Sequence, residues 1–443
     1  MSFPISEATA VRFHGPLPDA CDVVVIGGGV TGVMTAWFLA ARGQRVVICE
    51  KGRIAGEQSS RNWGWIRQQG RDPAELPIMV ESLSIWKSLA AELGDGLGFR
   101  QTGVMYLANG KKDLAGFEDW LVHARAHQLD TRMLGRGEVQ AMVGGVADWP
   151  GAIFTPSDGR AEPWVAVPML AEAAAARGVT VVEGCAVRSL DVAAGRVAGV
   201  VTERGRISCD RVVVAAGAWS RLFLGAHGVR IPQLSVLASV ASTEPMAEVF
   251  AGGACDNHFA FRRRADGGYS IAPGAEHDFF VGRDAFASFG AYLPVLKKDF
   301  RSTHFRTAAP AGYPDGWGTP RRWDGESPFE RVRVLNPKPN MATLGRVQDA
   351  FAAAFPALGR PKLRLAWAGM IDTMPDVVPV VDHGPIAGLT IATGMSGHGF
   401  GIGPGMGRVI ADLVLGRAVG HDLSRFRLSR FSDGSRIAPG PSL

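Results

Sequence analysis

The first fifty residues alternate between short apolar runs and an apolar stretch with helical spacing. The run CDVVVIGGG is rich in β-branched residues and ends in glycines, which is typical of a buried parallel strand with both faces covered. The segment TGVMTAWFLAARG then has helical spacing, and QRVVICEKG is again typical of a strand. Together these residues predict one complete β-α-β unit.

Later parts of the chain repeat this pattern. VTVVEGCAVRSL predicts a strand with a short hairpin partner, and DRVVVAAGAWS predicts a second buried strand that ends at small residues. GLTIATGMSGHGFGIGPGMGRVIADLVLGR predicts a strand over residues 389–393, a run of glycines and an amphipathic helix that ends at Gly416. We expect these strands to join the sheet that the first unit begins.

The apolar start of the chain also raises the question of a membrane span. Residues 23–41 are 19 positions without a charge, which a hydropathy window would flag. Three consecutive glycines near the start of this stretch suit a sharp turn between a strand and a helix better than a membrane helix. The leader MSFPISEATAVRFHGPLPDA has no basic start followed by an apolar block. We predict neither a membrane span nor a secretory signal.

A G-x-G-x-x-G motif, Gly27, Gly29 and Gly32, lies at the predicted turn. The first glycine allows the tight turn, the second lets the backbone approach a pyrophosphate, and the third permits close helix packing. The N–H groups and the dipole of the helix start favour phosphate charge. Glu50 ends the next strand, where a carboxylate can accept hydrogen bonds from a ribose hydroxyl. The unit predicts a dinucleotide site and suits NAD and FAD equally.

Composition and charge narrow the function further. The 443 residues are enough for two or three domains, and 47% hydrophobic with 20% charged residues is typical of a globular protein. The net charge of +5 comes from scattered basic residues, so we predict no nucleic-acid binding. Five cysteines without a C-x-x-C pair indicate neither a disulfide framework nor a zinc site. They fit a reducing cytoplasm, and we predict no metal site.

The glycine motif and the later blocks together resemble the D-amino-acid oxidase, glycine oxidase and sarcosine oxidase superfamily of FAD-dependent oxidoreductases. The segments that carry the resemblance span nearly the whole chain and are, in order, VVVIGGGVTG with Glu50, SSRNWG, VVVAAGAWS, WAGMIDTMPDVVPVV and ATGMSGHGFGIGPG. The late glycine-rich helix start disfavours NAD. The resemblance implies an α/β fold in which a Rossmann-like FAD-binding domain is interleaved with a mixed α+β substrate-binding domain.

The resemblance also divides the chain. Residues 20–75, 155–240 and 360–420 would form the FAD-binding domain, residues 76–154 and 241–359 the substrate-binding domain, with a leader at 1–19 and a tail at 421–443. The helix predicted in ELPIMVESLSIWKSLAAELG would open the substrate-binding domain. The basic tail predicts a loosely held terminus.

The FAD contacts follow by position from the resemblance. The motif glycines would hold the pyrophosphate, Glu50 the ribose, Lys51 the adenosine side and Val187 the adenine. The SSRNWG loop, residues 216, 217 and 219, and the loop over residues 394–399 would contact the flavin. The full set is Gly27, Gly29, Val30, Thr31, Gly32, Glu50, Lys51, Ser59, Ser60, Asn62, Trp63, Gly64, Val187, Ala216, Gly217, Trp219, Gly394, Met395, Ser396, Gly397, His398 and Gly399. Gly369 stands where some members carry a flavin-linking cysteine, and the GEQSSRNWGW loop has no histidine. We therefore expect non-covalent FAD.

The substrate in this superfamily is typically an amine or amino acid that gives a hydride to flavin N5, and the imine product then hydrolyses. An arginine can bind a substrate carboxylate bidentately. Arg67 is the first candidate, although a surface or packing role is common for arginine; Arg331, Arg333 and Arg364 are weaker candidates. Tryptophans in flavin-facing motifs predict an aromatic pocket, with Trp219 and Trp367 as substrate contacts beside Trp63 and Trp65. We assign no catalytic acid or base.

The SSRNWGW loop is similar to that of bacterial enzymes acting on L-amino acids. The resemblance thus favours oxidative deamination of a bulky hydrophobic or aromatic L-amino acid, to the 2-oxo acid and ammonia, with oxygen or another electron acceptor. A D-amino-acid dehydrogenase and a sarcosine-type secondary amine oxidase are alternatives, and a non-catalytic flavin-binding protein is a further one. The sequence leaves the oligomeric state open.

Overall fold

The computed structural model describes residues 3–440, and the side chains of all of these except residues 298, 299 and 301. Within that range the helices α1 to α11 are, in chain order, Val30–Ala41, Gln58–Arg61, Leu76–Leu93, Lys111–Ala126, Arg136–Val143, Pro163–Ala176, Ser220–Ala226, Arg283–Asp299, Pro328–Arg331, Met341–Ala354 and Gly399–Val414. The strands β1 to β22 are, in the same order, Val23–Ile26, Val46–Cys49, Trp65–Ile66, Arg100–Gln101, Val104–Leu107, Arg132–Gly135, Gly151–Thr155, Gly159–Arg160, Thr180–Val182, Val187–Ala193, Arg196–Thr202, Gly205–Ser208, Arg211–Val214, Leu234–Thr243, Gly253–Cys255, Ala260–Arg263, Tyr269–Ala272, His277–Phe280, Thr303–Arg306, Leu363–Thr373, Val380–His383 and Leu389–Thr393.

A six-stranded sheet in the order β21-β22-β13-β1-β2-β9 carries the glycine motif. Its strands are parallel except β21, which runs antiparallel to β22. Val23 and Val25 of β1 face a core with residues of α1, α3, α6 and α11, whereas Val24 and Ile26 face a core with residues of β10 to β12 and α7. Both faces of β1 are covered, which explains its unbroken apolar run.

The uncharged stretch over residues 23–41 is divided between a strand and a helix. Strand β1 ends at Ile26, and helix α1 has 12 residues after the glycine turn. Within residues 3–440, no helix has the length and apolar character needed to cross a membrane. The predicted β-α-β unit is confirmed, with β1 and β2 paired in parallel.

Helix α11 packs between α1 and α3, and its glycines allow the three helices to approach closely. A Cβ on Gly407 would lie 2.5 Å from the Cβ of Met34 in α1. A Cβ on Gly405 would lie 2.5 Å from the carbonyl oxygen of Ile78 in α3. The run of glycines in this segment therefore serves helix packing as well as the turn before the helix.

Helix α3 packs with the six-stranded sheet, which differs from the predicted start of the substrate-binding domain at residue 76. The Ser82 hydroxyl donates to the carbonyl of Gly401 at 2.7 Å and accepts the N–H of Gly405 at 3.0 Å. Trp86 Nε1 donates to the same Gly401 carbonyl at 2.9 Å. The apolar face of α3 lies in the core that also contains α1. The sequence shows an amphipathic helix here, but only these distant contacts decide which sheet it covers.

The second half of the molecule contains a ten-stranded sheet in the order β19-β18-β14-β17-β16-β15-β5-β7-β6, with β20 paired to β14. Strands β14 and β20 run antiparallel along their length. Both begin inside segments that the sequence assigned to FAD binding, 155–240 and 360–420. The chain therefore enters the second sheet earlier than predicted and leaves it later than predicted. The interleaved α/β architecture itself is confirmed.

The tail is held against the fold, which differs from the loosely held terminus predicted for residues 421–443. The Arg430 guanidinium donates to both carboxylate oxygens of Asp376, at 2.8 and 3.1 Å, and both side chains are buried. The N–H of Gly440 donates to the Asp376 carbonyl at 3.0 Å, and Arg425 donates to Asp72 at 3.2 Å. Two basic side chains of the tail, Arg425 and Arg430, are thus partners of acidic groups elsewhere in the fold.

Candidate functional site

The glycine motif forms the turn between β1 and α1. Gly27 has a φ of +112°, and a Cβ on it would lie 2.4 Å from the carbonyl oxygen of Ala215. A Cβ on Gly32 would lie 2.1 Å from the Gly27 carbonyl oxygen. The N–H of Val30, which begins α1, donates to Ser59 Oγ at 2.9 Å. Any side chain at Gly27 or Gly32 would therefore displace the backbone of the turn.

Glu50 lies beside this turn at the end of β2. Its carboxylate accepts the N–H of Gly28 and the N–H of Gly52, both at 2.7 Å. Burial raises the pKa of Glu50 to about 7, against the lowering effect of Lys51 and of the two N–H groups. The carboxylate reaches the cavity wall, where a ribose hydroxyl can donate to it.

Lys51 lies in a network at the same end of the cavity. Its Nζ donates to Glu57 at 2.7 Å and to the carbonyls of Val332 and Arg333 at 2.8 and 3.0 Å. It also lies 4.3 Å from the ring centroid of Trp219, whose Nε1 donates to Glu57 at 3.0 Å. Glu57, which the sequence analysis does not single out, holds these two predicted cofactor residues together.

A continuous cavity of about 790 Å³ extends from the glycine turn to the aromatic side chains of the second sheet. This volume lies in the usual range for ligand and cofactor sites. The predicted residues that line the cavity are Gly27, Gly29, Val30, Thr31, Glu50, Lys51, Ser59, Asn62, Trp63, Arg67, Val187, Ala216, Gly217, Trp219, Met395, Gly397, His398 and Gly399.

Among the predicted FAD contacts and the two substrate candidates Arg67 and Trp367, six residues lie outside that lining. They are Gly32, Ser60, Gly64, Trp367, Gly394 and Ser396. Ser60 is fully buried, and its hydroxyl donates to the Glu57 carbonyl at 3.3 Å. Trp367 donates from Nε1 to the Arg61 carbonyl at 2.9 Å and packs edge-on against Phe3. The substrate contact predicted for Trp367 is therefore corrected to a supporting position, because its ring is enclosed by other side chains.

Asp372 anchors the loop before α11. Its carboxylate accepts the N–H of Gly394 at 2.7 Å, and its carbonyl accepts the N–H of Ser396 at 2.9 Å. Gly394 has a φ of +75°, and a Cβ on it would lie 2.3 Å from Cγ of Met374. Burial raises the pKa of Asp372 to about 6, against the lowering effect of the N–H groups of Gly394 and Met395. The DTMPD segment thus fixes the glycine-rich loop through Asp372.

Charged side chains meet at the other end of the cavity. Arg71 donates from Nε to the Arg67 carbonyl at 3.1 Å and from Nη2 to the His398 carbonyl at 3.0 Å. Oε2 of Glu75 lies 3.5 Å from Arg71 Nη1 and 3.4 Å from His398 Nδ1. All four side chains are buried. Arg67 and His398 lie in motifs that the sequence identifies, whereas Arg71 and Glu75 have no signal except an i, i+4 charge spacing that is common on exposed helices.

Burial shifts the ionisation of this cluster. It lowers the pKa of His398 to about 4, although Glu75 acts to raise it, so the imidazole is neutral at pH 7. It also lowers the pKa of Arg71 to about 10, which leaves the guanidinium cationic. Burial acts to raise the pKa of Glu75, but His398, Arg71 and Arg67 together bring it below its usual range. Glu75 is therefore a buried carboxylate ion.

Aromatic rings form the wall beside Arg67. Trp63 and Trp65 pack edge to face with centroids 5.1 Å apart, and the Trp65 and Tyr106 rings stack at 6.2 Å. The Arg67 guanidinium lies 5.7 Å from the Tyr106 ring centroid. This end of the cavity thus combines a cation with apolar surface, which suits an amphiphilic carboxylate.

The weaker arginine candidates lie elsewhere. Arg331 and Arg364 have exposed side chains that pair with Glu326 at 3.0 Å and with Asp266 at 3.5 Å. Arg333 lines the nucleotide end of the cavity, where it pairs with Glu203. Of the four arginine candidates, the structure therefore brings only Arg67 to the aromatic wall.

Two observations show that these residues fit a flavin dinucleotide. The glycine turn leaves no room for a Cβ at Gly27, and the first turn of α1 opens on the cavity. Both ring nitrogens of His398 and Nη1 of Arg71 are buried without a hydrogen-bond partner in the described part of the chain. Buried polar atoms are normally paired, and a polar cofactor edge can pair them. Gly369 lies in the cavity wall, so the cysteine linkage of some superfamily members is absent at this position.

Known proteins match this architecture along nearly the whole chain. The family described as FAD dependent oxidoreductase matches residues 22–413. Sarcosine oxidase subunit beta from Rhizobium meliloti (strain 1021) is 26% identical over 439 residues, which covers 97% of this chain and 92% of that protein. The structure of L-amino acid deaminase from Proteus myxofaciens in complex with anthranilate has a TM-score of 0.91 and 31% identity, over 96% of this chain and 97% of that chain. L-amino acid deaminase from Proteus vulgaris has a TM-score of 0.89 and 32% identity, over 95% of this chain and 100% of that chain. The chain therefore belongs to the family of FAD-dependent oxidoreductases, and FAD is its cofactor.

Proposed function

We propose that this enzyme oxidises the α-amine of a bulky apolar or aromatic L-amino acid. The product is an imino acid, which hydrolyses to the 2-oxo acid and ammonia. The observation that carries the proposal is the position of Arg67 beside an aromatic wall, in the same cavity as the predicted flavin loops. Bound FAD supplies the acceptor for the two electrons that leave the substrate.

The chain's own residues bind and orient the substrate in this proposal. The Arg67 guanidinium binds the carboxylate, because its fork matches two carboxylate oxygens. Trp63, Trp65 and Tyr106 pack against the substrate side chain and exclude water from it. Asn62 and the loop over residues 394–399 would hold the flavin at the inner side of this pocket. The substrate amine must be neutral when it is oxidised, and we assign no side chain as the base that accepts its proton.

The similar structures favour an L-amino acid. Two of them, at 31% and 32% identity, are L-amino acid deaminases, and one is in complex with anthranilate. Anthranilate is an aromatic carboxylate, so it combines the two chemical groups for which Arg67 and the aromatic wall offer contacts. We therefore place phenylalanine, tryptophan and leucine first among the substrates.

Oxidation of a secondary amine is a second candidate. Sarcosine oxidase subunit beta aligns with 97% of this chain. Sarcosine carries a carboxylate that Arg67 could bind, but its only apolar group is a methyl, which would leave most of the aromatic wall without contact. The aromatic lining therefore favours the larger amino acids.

Anaerobic mixing tests the proposal directly. The FAD-loaded protein is mixed without oxygen with L- and D-amino acids, sarcosine and simple amines, and the visible absorbance of the flavin is followed. We expect bleaching by L-Phe, L-Leu and L-Trp and none by their D-forms. Bleaching by D-forms or by sarcosine alone would overturn the choice of substrate, and a flavin that no amine bleaches would overturn the enzyme proposal.

The electron acceptor and the location are further parts of the proposal. We propose oxygen as the electron acceptor, supported by the single dinucleotide motif in the sequence. We propose a cytoplasmic location, supported by five cysteines without a disulfide among the described residues. Readmission of air to the bleached enzyme tests the first part. Rapid return of the flavin absorbance supports oxygen, whereas a flavin that stays bleached indicates another acceptor.

A further inference from the structure

We propose that Glu75 is a positioning residue that sets the electrostatic environment of the flavin by holding Arg71 and His398 at the cavity wall. Arg71 and His398 line the cavity, whereas Glu75 lies behind them and is fully buried. The proposal rests on the placement of the flavin against the loop over residues 394–399. It does not depend on which substrate the enzyme oxidises.

The backbone fixes the position of Glu75. Its N–H donates to the Asp72 carbonyl at 2.9 Å, and its own carbonyl accepts the N–H of Met79 at 2.9 Å. The residue precedes helix α3, which is locked to α11 through Ser82 and Trp86. The backbone at Glu75 is therefore fixed at the start of the helix, and its side chain is fully buried there.

Glu75 connects two segments that are far apart in sequence. Its Oε2 lies 3.5 Å from Nη1 of Arg71 and 3.4 Å from Nδ1 of His398. Arg71 in turn donates to the His398 carbonyl at 3.0 Å. The segment over residues 67–75, with the proposed substrate clamp Arg67, is thereby joined to the loop that faces the flavin.

The cluster is incomplete without a ligand. Both carboxylate oxygens of Glu75, both ring nitrogens of His398 and Nη1 of Arg71 are buried, and none has a hydrogen-bond partner within residues 3–440. A buried ion without full hydrogen bonding costs free energy, so a fold retains it only where other contacts offset the cost. Contacts with bound FAD and substrate on the cavity side of Arg71 and His398 would supply that offset.

The charge of Glu75 has a direct consequence for the flavin. Arg67 and Arg71 bring two cations to this end of the cavity, and the Glu75 carboxylate is the anion next to Arg71. Asp158, the other carboxylate near Arg67, accepts the N–H groups of Gln68 and Gln69 at 2.7 and 3.1 Å. Positive charge beside a flavin favours its reduced, anionic form. Glu75 therefore lowers the tendency of the flavin to accept electrons and anionic adducts.

Glu75→Gln tests this in the FAD-loaded protein, because it removes the charge and keeps the shape. We expect sulfite, an anion that adds to oxidised flavin, to bind about tenfold more tightly, as judged from the loss of visible flavin absorbance. The two-electron reduction potential should rise by about 30 mV, which is the same factor of ten. A residue with a purely structural role would change FAD retention or melting temperature but neither of these readouts.

Glu81→Gln is the matched control. Glu81 lies on the same helix and also pairs with an arginine and a histidine, Arg408 at 2.5 Å and His421 at 2.6 Å. The cavity lining includes none of these three residues. We expect sulfite affinity and reduction potential within about twofold and 10 mV of the parent protein, because this half-buried cluster does not line the cavity and its charges lie away from the flavin site.

A second variant, which removes the positive charge instead of the negative one, keeps the proposal testable if Glu75→Gln takes up no FAD. Arg71→Met removes the neighbouring cation and should weaken sulfite binding and lower the potential. Unchanged sulfite affinity and potential in FAD-loaded Glu75→Gln, an equal shift in Glu81→Gln, or loss of FAD from both Glu75→Gln and Arg71→Met would overturn the proposal. These readouts need no amino acid, so they stand apart from the outcome of the substrate panel.

Discussion

The two ends of the cavity are built in different ways. At the nucleotide end, the Glu50 carboxylate accepts two backbone N–H groups, and the glycine turn fixes the backbone around it. At the substrate end, Arg71, Glu75 and His398 keep buried polar atoms without partners in the described part of the chain. The nucleotide end is thus complete before any ligand binds, whereas the substrate end needs bound molecules to complete it. We therefore expect backbone geometry to control FAD binding at the nucleotide end, and charge to control ligand binding at the substrate end.

Adding a side chain to the glycine turn should produce the largest effect. In Gly27→Val, the new Cβ would lie 2.4 Å from the Ala215 carbonyl, at a φ of +112° that valine rarely adopts. FAD affinity should fall by at least about a thousandfold, or about 4 kcal/mol. Titration of deflavinated protein with FAD measures this loss. Gly110→Ala is the control, because nothing lies within 4 Å of a Cβ added there. If the FAD affinity of Gly27→Val stays within tenfold of the parent, the assignment of this turn to FAD is contradicted.

Removal of the proposed clamp should affect the substrate end alone. We expect Arg67→Ala to raise KM for an L-amino acid about a hundredfold, or about 2.7 kcal/mol, and to leave FAD affinity unchanged. The KM of Arg67→Lys should lie between those of the parent and Arg67→Ala, because an ammonium keeps the charge but cannot form the bidentate pair. Steady-state kinetics and FAD titration check the separation, with the exposed Arg364→Ala as control. An unaltered KM in Arg67→Ala would show that another group binds the carboxylate.

The pH dependence of stability should distinguish the nucleotide end in the FAD-free protein. The folded-state pKa of Glu50, about 7, lies above its ordinary value of 4.5. Its contribution to folding is therefore fully present below pH 4.5 and is lost as the pH rises through 7. Relative to the parent, Glu50→Gln should gain about 2 kcal/mol of unfolding free energy between about pH 5 and about pH 8.

Urea unfolding at the two pH values measures this gain. Glu138→Gln is the control, because the N–H of Gly135 and the Arg132 guanidinium hold the pKa of the exposed Glu138 carboxyl below its usual range. That carboxylate stays ionised across the window, so its substitution should change stability by the same amount at both pH values. A Glu50→Gln difference that does not vary with pH would mean that the Glu50 carboxyl has its ordinary pKa when folded.

Release of the tail should have the smallest effect. Arg425 donates to Asp72, next to Arg71, and to the Ala438 carbonyl at 2.8 Å. Arg425→Ala should cost about 0.5 to 1 kcal/mol and speed hydrogen exchange at the Gly440 N–H, which donates to Asp376. Arg427→Ala, which breaks a pair within the tail at 2.9 Å, should leave that exchange rate unchanged. Equal protection of Gly440 in both variants would show that Arg425 does not hold the tail.

The nucleotide end could be predicted from the sequence, whereas most of the charged cluster at the substrate end could not. The glycine turn, Glu50 and the strands on either side of α1 lie within about thirty residues, and backbone geometry dictates their residue types. Arg71 and Glu75 escaped notice because four-residue charge spacing is ordinary on exposed helices, and nothing local shows that both are buried. The substrate contact predicted for Trp367 was wrong because the residue lies in a flavin-facing motif, yet its ring is covered by Phe3.

The sequence by itself determined the α/β class and the dinucleotide turn, because both depend on short stretches whose residue types are set by backbone geometry. The choice of FAD came from the family resemblance, which rests on the order of several motifs along the chain. The tertiary structure alone decided that α3 covers the six-stranded sheet, that β14 and β20 belong to the second sheet and that the tail is held by Asp376. It also brought Glu75 to His398, 323 positions further along the chain. Such contacts join distant segments, and their free energy depends on burial that no local pattern encodes.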